Sequence, residues 1–359
     1  MKKRIILHIG FPKTGTTTIQ NFMYERRDTL LKQRKILYPS LAPNLTDALC
    51  TMFLKDPGKL ITNKMKGLTE KGDLDKLAKK YRRTLERELS STEYNTIFLS
   101  AEGVSNVDAE GISRLKKWGN KYADSWTVIV YVRHPVSYTR SVIQQIMKGG
   151  ETLESLYEKI PLPRYKGKLS KFINVFGKDN INVFEFESAV STNLLHSFCR
   201  QMDLSDLVIS DRQDFLDKRE NESMSMEAVL VLNRINHIRP VFINGKRNEL
   251  RSNQELAQVQ RIKGNKFFLP QKIEESIKEE ARDDVNWLNE EFNLNLYNDI
   301  FTPVDDESLS SMRENCVISD EAIDSIASII LELIDTKGYS TARKFYNVFK
   351  ERLLQRQYR

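Results

Sequence analysis

Phe11-Pro12-Lys13-Thr14-Gly15-Thr16-Thr17-Thr18 follows the apolar run Ile5-Ile6-Leu7-His8-Ile9, with Gly10 between them. The run is continuous and rich in β-branched residues, as in a buried parallel strand. Gly10 and Gly15 permit a tight loop whose backbone N–H groups converge on one oxyanion. Ile19, Phe22 and Met23 then recur at i, i+3 and i+4. A helix therefore starts in the threonine run, and its N-terminus adds free donors and a favourable dipole. Lys13 supplies a full positive charge, and Thr14, Thr16 and Thr17 supply hydroxyls. The bland alternative is an ordinary strand–turn–helix with a capping threonine. The clustering of glycine, lysine and threonine on one turn favours an anion loop.

The spacing separates this loop from a Walker A loop, which reads G-x-x-x-x-G-K-[ST]. Gly10 and Gly15 have the right separation, but Thr16 stands where the lysine belongs, and the lysine has moved to position 13. A lysine there approaches the terminal group of a nucleotide from another side. That suits a 5′-phosphosulfate better than a Mg²⁺-bound triphosphate. Pro12-Lys13-Thr14-Gly15-Thr16-Thr17 resembles the 5′-phosphosulfate loop of sulfotransferases that use 3′-phosphoadenosine-5′-phosphosulfate (PAPS). The resemblance implies that Pro12 through Thr18 hold the co-substrate.

A second element points the same way. Trp126-Thr127-Val128-Ile129-Val130-Tyr131-Val132 is another buried-strand run, ending in Arg133-His134-Pro135. A helical pattern follows, with Val142, Ile143, Ile146 and Met147 on one face. An arginine fork binds phosphate oxygens in bidentate fashion, and a serine two helical turns on points to the same side. Arg133 and Ser141 match the Arg-x₇-Ser spacing with which the sulfotransferase family grips the nucleotide's 3′-phosphate. Alone, this element reads more readily as a strand-end arginine with an unrelated helical serine. With the loop, and in the same order, it carries the resemblance over roughly the first 190 residues.

The implied fold is α/β: a three-layer, P-loop-like parallel sheet flanked by helices, with a helical C-terminal region. Strands are expected at 5–9, 36–38, 96–100, 126–132 and 181–186. Helices are expected at 16–32, 75–89, 109–122, after Pro135, at 169–176 and at 273–292. Strands alternating with helices argue for parallel pairing, with ligands beyond the carboxyl ends of the strands. Residues 39–73 carry Pro39, Pro43, Pro57 and Gly58 with little periodicity and read as irregular. The expected organisation is one PAPS-binding domain over 1–303 and an extension over 304–359 docked on it. In that extension Phe345, Val348, Phe349 and Leu353 share a helix face, which suits docking or a membrane or partner contact.

The 359 residues, 40% hydrophobic and 29% charged, have the balance of a soluble globular protein. No apolar run approaches the roughly 20 residues of a membrane span. Lys2-Lys3-Arg4 resembles the start of a signal peptide, but the apolar stretch behind it leads straight into the loop, so a cytoplasmic location is expected. Cys50, Cys199 and Cys316 are odd in number and widely spaced, as reduced thiols are. The four histidines and three cysteines show no ligand spacing, so no metal is expected. A net charge of +7 suits an anionic nucleotide, and no nucleic-acid motif is present.

Basic residues gather at Arg239, Lys246, Arg247, Arg251, Arg261, Lys263 and Lys266. They read as a solvated loop or as a lid over the nucleotide or an acidic acceptor. Arg261-Ile262-Lys263-Gly264 resembles the basic, glycine-containing segment with which many sulfotransferases cover the 3′-phosphate. Its Arg-x-Lys-Gly spacing differs from the Arg-Lys-Gly of the cytosolic enzymes.

Sulfuryl transfer needs a stabilised leaving phosphate, donors for the sulfuryl oxygens, and a base for the acceptor proton. Lys13 and the threonines meet the first two needs. Glu102, two residues past strand 96–100, is the foremost candidate base. The resemblance to glycan-modifying sulfotransferases, which use a carboxylate where cytosolic enzymes use histidine, supports it. Its structural alternative is a cap on the turn Gly103–Asn106. Glu185 and Glu187 are further candidates, while His8 packs beneath the loop and His134 sets the Arg133 turn. The expected activity is transfer from PAPS to a hydroxyl of a carbohydrate or small molecule. The competing readings are a P-loop-type nucleotide kinase and a non-catalytic nucleotide-binding protein.

Overall fold

The structure, a computed structural model, describes residues 2–205, 223–243, 246–248, 251, 253–296, 319, 321, 322, 325, 326 and 329. Cys316, the helix face of Phe345, Val348, Phe349 and Leu353, and nearly all of 304–359 lie outside the described residues.

Two compact units divide the chain. Met1–Thr139, Leu162–Glu220 and Glu275–Ile300 form the first; Arg140–Pro161, Asn221–Glu274 and Phe301–Arg359 form the second. The first unit holds five strands: β1 (Arg4–His8), β2 (Ile36–Leu37), β3 (Thr96–Ser100), β4 (Ser125–Val132) and β5 (Ile181–Glu185). They form one parallel sheet in the order β2-β3-β1-β4-β5. The expected parallel sheet flanked by helices is the observed one.

Continuous apolar strands are what this sheet requires, because both its faces are covered. Ile6, Phe98, Ile129 and Tyr131 pack with Ile19, Phe22 and Met23 of α1 (Thr16–Glu25), Leu30 of α2 (Arg27–Arg34), and Phe198 and Cys199 near the chain's midpoint. Ile5, Leu7, Leu99, Val128 and Val130 alternate with them and are fully buried on the opposite face. That face is met by α6 (Ala109–Gly119) and α9 (Tyr165–Phe176); the Trp126 and Phe176 rings are 5.0 Å apart.

Two expectations fail locally. The helix expected over 16–32 is two helices that meet at Arg26, whose φ of −98° and ψ of 7° leave the helical region. The stretch 39–73 is not irregular. It contains α3 (Thr46–Phe53) and α4 (Ile61–Met65), and Leu45, Ala48, Leu49 and Phe53 bury one side of α3. Tertiary burial overrides the flanking prolines there.

The second unit is held by polar contacts around the helix Met226–Ile238. Asn236 Nδ2 donates to the carbonyls of Met147 (2.9 Å) and Glu151 (2.7 Å), and Asn233 Oδ1 accepts the Leu153 N–H at 2.7 Å. Buried Arg251 donates to Asn236 Oδ1 at 2.8 Å.

Beneath the sheet's carboxyl edge, His8 Nδ1 lies 2.9 Å from Ser100 Oγ, which also accepts from Gln20 Nε2 at 3.0 Å. Complete burial holds His8 neutral, its pKa down from 6.5 to about 4. The unfolded chain takes up a proton below about pH 6.5 that the folded chain refuses until about pH 4. Stability from this group is therefore full above pH 6.5, falls between 6.5 and 4, and is level below. The loss amounts to roughly 3 kcal/mol. Urea denaturation across this window should show a shallower loss for His8→Gln than for the parent; equal slopes would place the acid sensitivity elsewhere.

Candidate active site

The chain leaves β1 towards the β2 edge of the sheet and leaves the adjacent β4 towards the β5 edge, so the winding reverses between β1 and β4, where open α/β sheets bind ligands beyond the carboxyl ends of the strands. Three segments leave the sheet there: the loop 9–15 after β1, the turn Glu102–Asn106 after β3, and Arg133-His134 after β4.

Within the loop, Thr14 is fully buried and donates to the Phe11 carbonyl at 2.8 Å, with Thr16 Oγ1 3.4 Å away. These two hydroxyls brace the loop from inside, so the donors facing outward are Thr17, Thr18 and the first N–H groups of α1. No side chain caps that helix: its N-cap is Gly15, at φ 70° and ψ 15°. A Cβ at Gly15 would collide with Leu194, and one at Gly10 with Thr16. Lys13 also has positive φ, 64°, which costs a non-glycine residue about 1–2 kcal/mol.

Arg133 pins this strained residue. Its Nη1 donates to the Lys13 carbonyl at 3.0 Å, its Nε lies 3.5 Å from Glu187 Oε1, and its guanidinium sits 5.1 Å from the Phe186 ring centre. Its own backbone is fixed by buried Tyr165, whose hydroxyl accepts the Arg133 N–H (2.9 Å) and donates to the Arg133 carbonyl (2.6 Å). Asp284 in turn caps α9, accepting the N–H groups of Tyr165 and Lys166 at 2.6 and 2.7 Å.

Glu102 belongs to the same group. Burial raises its carboxyl above the usual carboxylate range, and the Lys13 charge partly offsets this. Burial lowers the Lys13 ammonium, Arg133 lowers it further, and Glu102 raises it. The structural alternative for Glu102 is not observed: Thr46 Oγ1 accepts the Gly103 N–H at 2.9 Å, and Ser105 Oγ donates to the Glu102 carbonyl at 3.0 Å. No hydrogen bond engages its carboxylate among the described residues.

Of the other candidates, Glu187 Oε2 accepts the His134 N–H at 3.3 Å, and Glu185 Oε1 accepts the Asn295 N–H at 2.6 Å. His134 Nδ1 accepts from the Val136 N–H at 3.3 Å, so its ring shapes the turn. Ser141 lies buried on α7 (Pro135–Lys148), in the second unit. Arg261 and Lys263 are exposed in that unit, and Gly264 packs so closely on Glu227 that no side chain fits there. Arg239 and Arg251 share Glu255 at 2.9 and 3.4 Å, which offsets one of their two charges.

Sequence reasoning missed three participants. Nearly buried Tyr138 feels the Glu102 charge, which with burial raises its hydroxyl. Phe186 faces both Arg133 and Gly15. Lys168 stands 5.0 Å from the Phe11 ring centre, and burial with neighbouring Lys171 pushes its pKa down to about 8. Only the helical placement of Tyr138 and Lys168 could have signalled them. The hollow of about 500 Å³ along α5 (Lys71–Ser91) is lined by cations such as Lys76, Lys80 and Arg87 and holds none of these residues. No helix among the described residues is long and apolar enough to cross a membrane, and no metal-binding group is seen among them.

No family model and no curated protein matches the chain. Among solved structures, it is similar to a sulfotransferase from Alicyclobacillus acidocaldarius, with a TM-score of 0.35 and 14% identity, covering 62% of this chain and 87% of that one. It is also similar to the sulfotransferase domain from the curacin biosynthetic pathway, with a TM-score of 0.34 and 13% identity, covering 60% of this chain and 80% of that one.

Gly15→Ala combines a left-handed backbone with the Leu194 collision and should destabilise the chain by about 1–3 kcal/mol in urea denaturation. Adding Leu194→Ala should recover the steric part of the loss and leave the backbone part.

Proposed function

We propose that the chain is a PAPS-dependent sulfotransferase that acts on a hydroxyl acceptor, with a carbohydrate as the favoured class. The observation that carries this reading is the grouping of Lys13, Glu102 and Arg133 around an uncapped helix N-terminus at the switch point of a parallel sheet. Two cations and free backbone donors suit a multiply charged anion, and one unengaged, half-buried carboxylate suits a base.

In this mechanism Glu102 takes the proton of the acceptor hydroxyl as its oxygen bonds to sulfur. The bond between sulfur and the bridging phosphate oxygen breaks, and the charge left on the phosphate builds beside Lys13. Thr17, Thr18 and the α1 N–H groups offer hydrogen bonds to the sulfuryl and phosphate oxygens. Arg133 receives the 3′-phosphate, and the Arg133-x₇-Ser141 spacing adds Ser141 as its second contact. Arg261, Lys263 and Gly264 are the sequence-based candidates for covering it. The carbohydrate class follows from the resemblance to glycan-modifying enzymes and from a carboxylate base.

Calorimetric titration with 3′-phosphoadenosine-5′-phosphate (PAP) in the absence of Mg²⁺ is the direct test. Binding of PAP supports the reading, and binding of ATP only with Mg²⁺ overturns it in favour of a kinase. Labelled PAPS screened against glycans and sugar nucleotides then identifies the acceptor, and turnover separates an enzyme from a binding protein.

Glu102→Gln should keep PAP binding and thermal stability while transfer falls by about 10²–10⁴-fold. In the parent, kcat/KM should fall on acidification as Glu102 takes up a proton, at a pH above the ordinary carboxylate range. An active, normally binding Glu102→Gln variant would remove Glu102 as the base. Lys13→Ala should lower kcat more than it weakens PAP binding, because its charge matters most as the phosphate leaves. A rise in KM alone would make Lys13 a ground-state anchor.

A further inference from the structure

The proposed mechanism gives Glu187 no step, yet Glu187 is tied to the cation assigned to the nucleotide. Its Oε1 lies 3.5 Å from Arg133 Nε, and its Oε2 accepts the His134 N–H at 3.3 Å. The two side chains are only 21% and 16% exposed, so water does little to screen the pair. The same guanidinium reaches the Lys13 carbonyl at 3.0 Å. One side chain thus joins the loop after β1 to the carboxylate that follows β5.

The titratable and charged groups facing Glu187 are few. From the end of β4 come Arg133 and His134, whose Nδ1 is occupied by the Val136 N–H. From α9 comes Tyr165, held neutral by complete burial and bonded to the Arg133 backbone at both its hydrogen-bonding positions. Among the described residues, Arg133 is the one that supplies a full compensating charge. A carboxylate out of water persists as an anion while a cation serves it and takes a proton when that service weakens. An oxyanion on the Arg133 fork both draws off the guanidinium and brings like charge towards Glu187.

We infer that Glu187 is the proton-linked counter-ion of Arg133: it holds the guanidinium against the loop in the open site and binds a solvent proton when an oxyanion takes its place. The inference rests on the sulfotransferase reading only in naming PAP as the natural oxyanion. The proton comes from the buffer, and an O–H bond on Glu187 is the one bond formed. Burial already raises the Glu187 carboxyl, while Arg133 and the His134 N–H pull it back, so the group is set to respond to a change at Arg133. Glu187 is thus a positioning residue, and anion affinity gains with falling pH through it. A phosphate monoester acts in the opposite sense, because its dianion is lost around pH 6.

The test is calorimetric titration with PAP and, separately, with inorganic sulfate, which does not titrate in this range. Each is run near neutral pH in two buffers of different ionisation enthalpy, which counts the protons exchanged. The parent is compared with Glu187→Gln, which can still accept the His134 N–H, and with Glu187→Asp, which keeps an acid. The parent should take up more protons than Glu187→Gln, by up to about one per site, and Glu187→Asp should restore the uptake. Equal proton counts in parent and Glu187→Gln overturn the inference, whichever ligand binds. Glu187-dependent uptake with sulfate but no binding of PAP supports it and overturns the nucleotide reading alone. PAP binding with equal counts overturns this inference alone, and binding of neither ligand overturns both.

Discussion

The contact between the Arg133 guanidinium and the Lys13 carbonyl is the constraint on which the rest of the site depends. Lys13 occupies a left-handed backbone conformation that a lysine adopts only at a cost, and such strain persists where the surroundings over-determine it. Here the surroundings are specific. Thr14 hooks the loop back to Phe11, Gly15 leaves no side chain to meet Leu194, and Arg133 holds the carbonyl of the strained residue. Arg133 is itself immobilised by Tyr165, whose helix is capped by Asp284. The geometry of an exposed loop is thereby referred to buried hydrogen bonds in α9.

The same arrangement explains why the site's ionisable groups depart from their ordinary values in opposite directions. Burial pushes Lys13 and Lys168 down and Glu102 and Glu187 up, so each group is drawn towards its neutral form. Within the cluster, Lys13 and Glu102 partly restore each other's charge, and Arg133 does the same for Glu187. On the proposed reading, an anion at these residues favours the charged forms of the lysines and pushes both carboxylates further towards protonation.

Much of this was legible in the sequence, for identifiable reasons. The strands that carry the site are continuous β-branched runs, which only a sheet buried on both faces requires, and β3 falls at 96–100 as read. Lys13, Glu102 and Arg133 could be placed because each lies just past such a run. The helices α3 and α4 were hidden because Pro43, Pro57 and Gly58 frame them, while the spacing of Leu45, Ala48, Leu49 and Phe53 is helical all the same. The break at Arg26 has no proline or glycine to announce it. Tyr138, Tyr165 and Phe186 were not legible as site residues, because their roles come from contacts with residues far away in sequence, and Glu187 was legible as a candidate base but not as the partner of Arg133. The left-handed Lys13 was hidden for the opposite reason: positive φ is ordinarily announced by glycine, and here a lysine has it.

A residue that must present its ammonium to a ligand cannot be glycine, and a loop this tight cannot give every position a right-handed backbone. Gly15 absorbs one such demand, Gly10 leaves room for the Thr16 side chain, and at position 13 the chain accepts the strain. The compensation lies in the neighbouring strand end, where Arg133 donates an N–H to the Lys13 carbonyl. Anything that draws Arg133 away from the loop weakens the hold on Lys13, and anything that fixes Arg133 sharpens the presentation of the lysine. The carboxylate of Glu187, 3.5 Å from the same guanidinium, therefore bears on Lys13 without touching it.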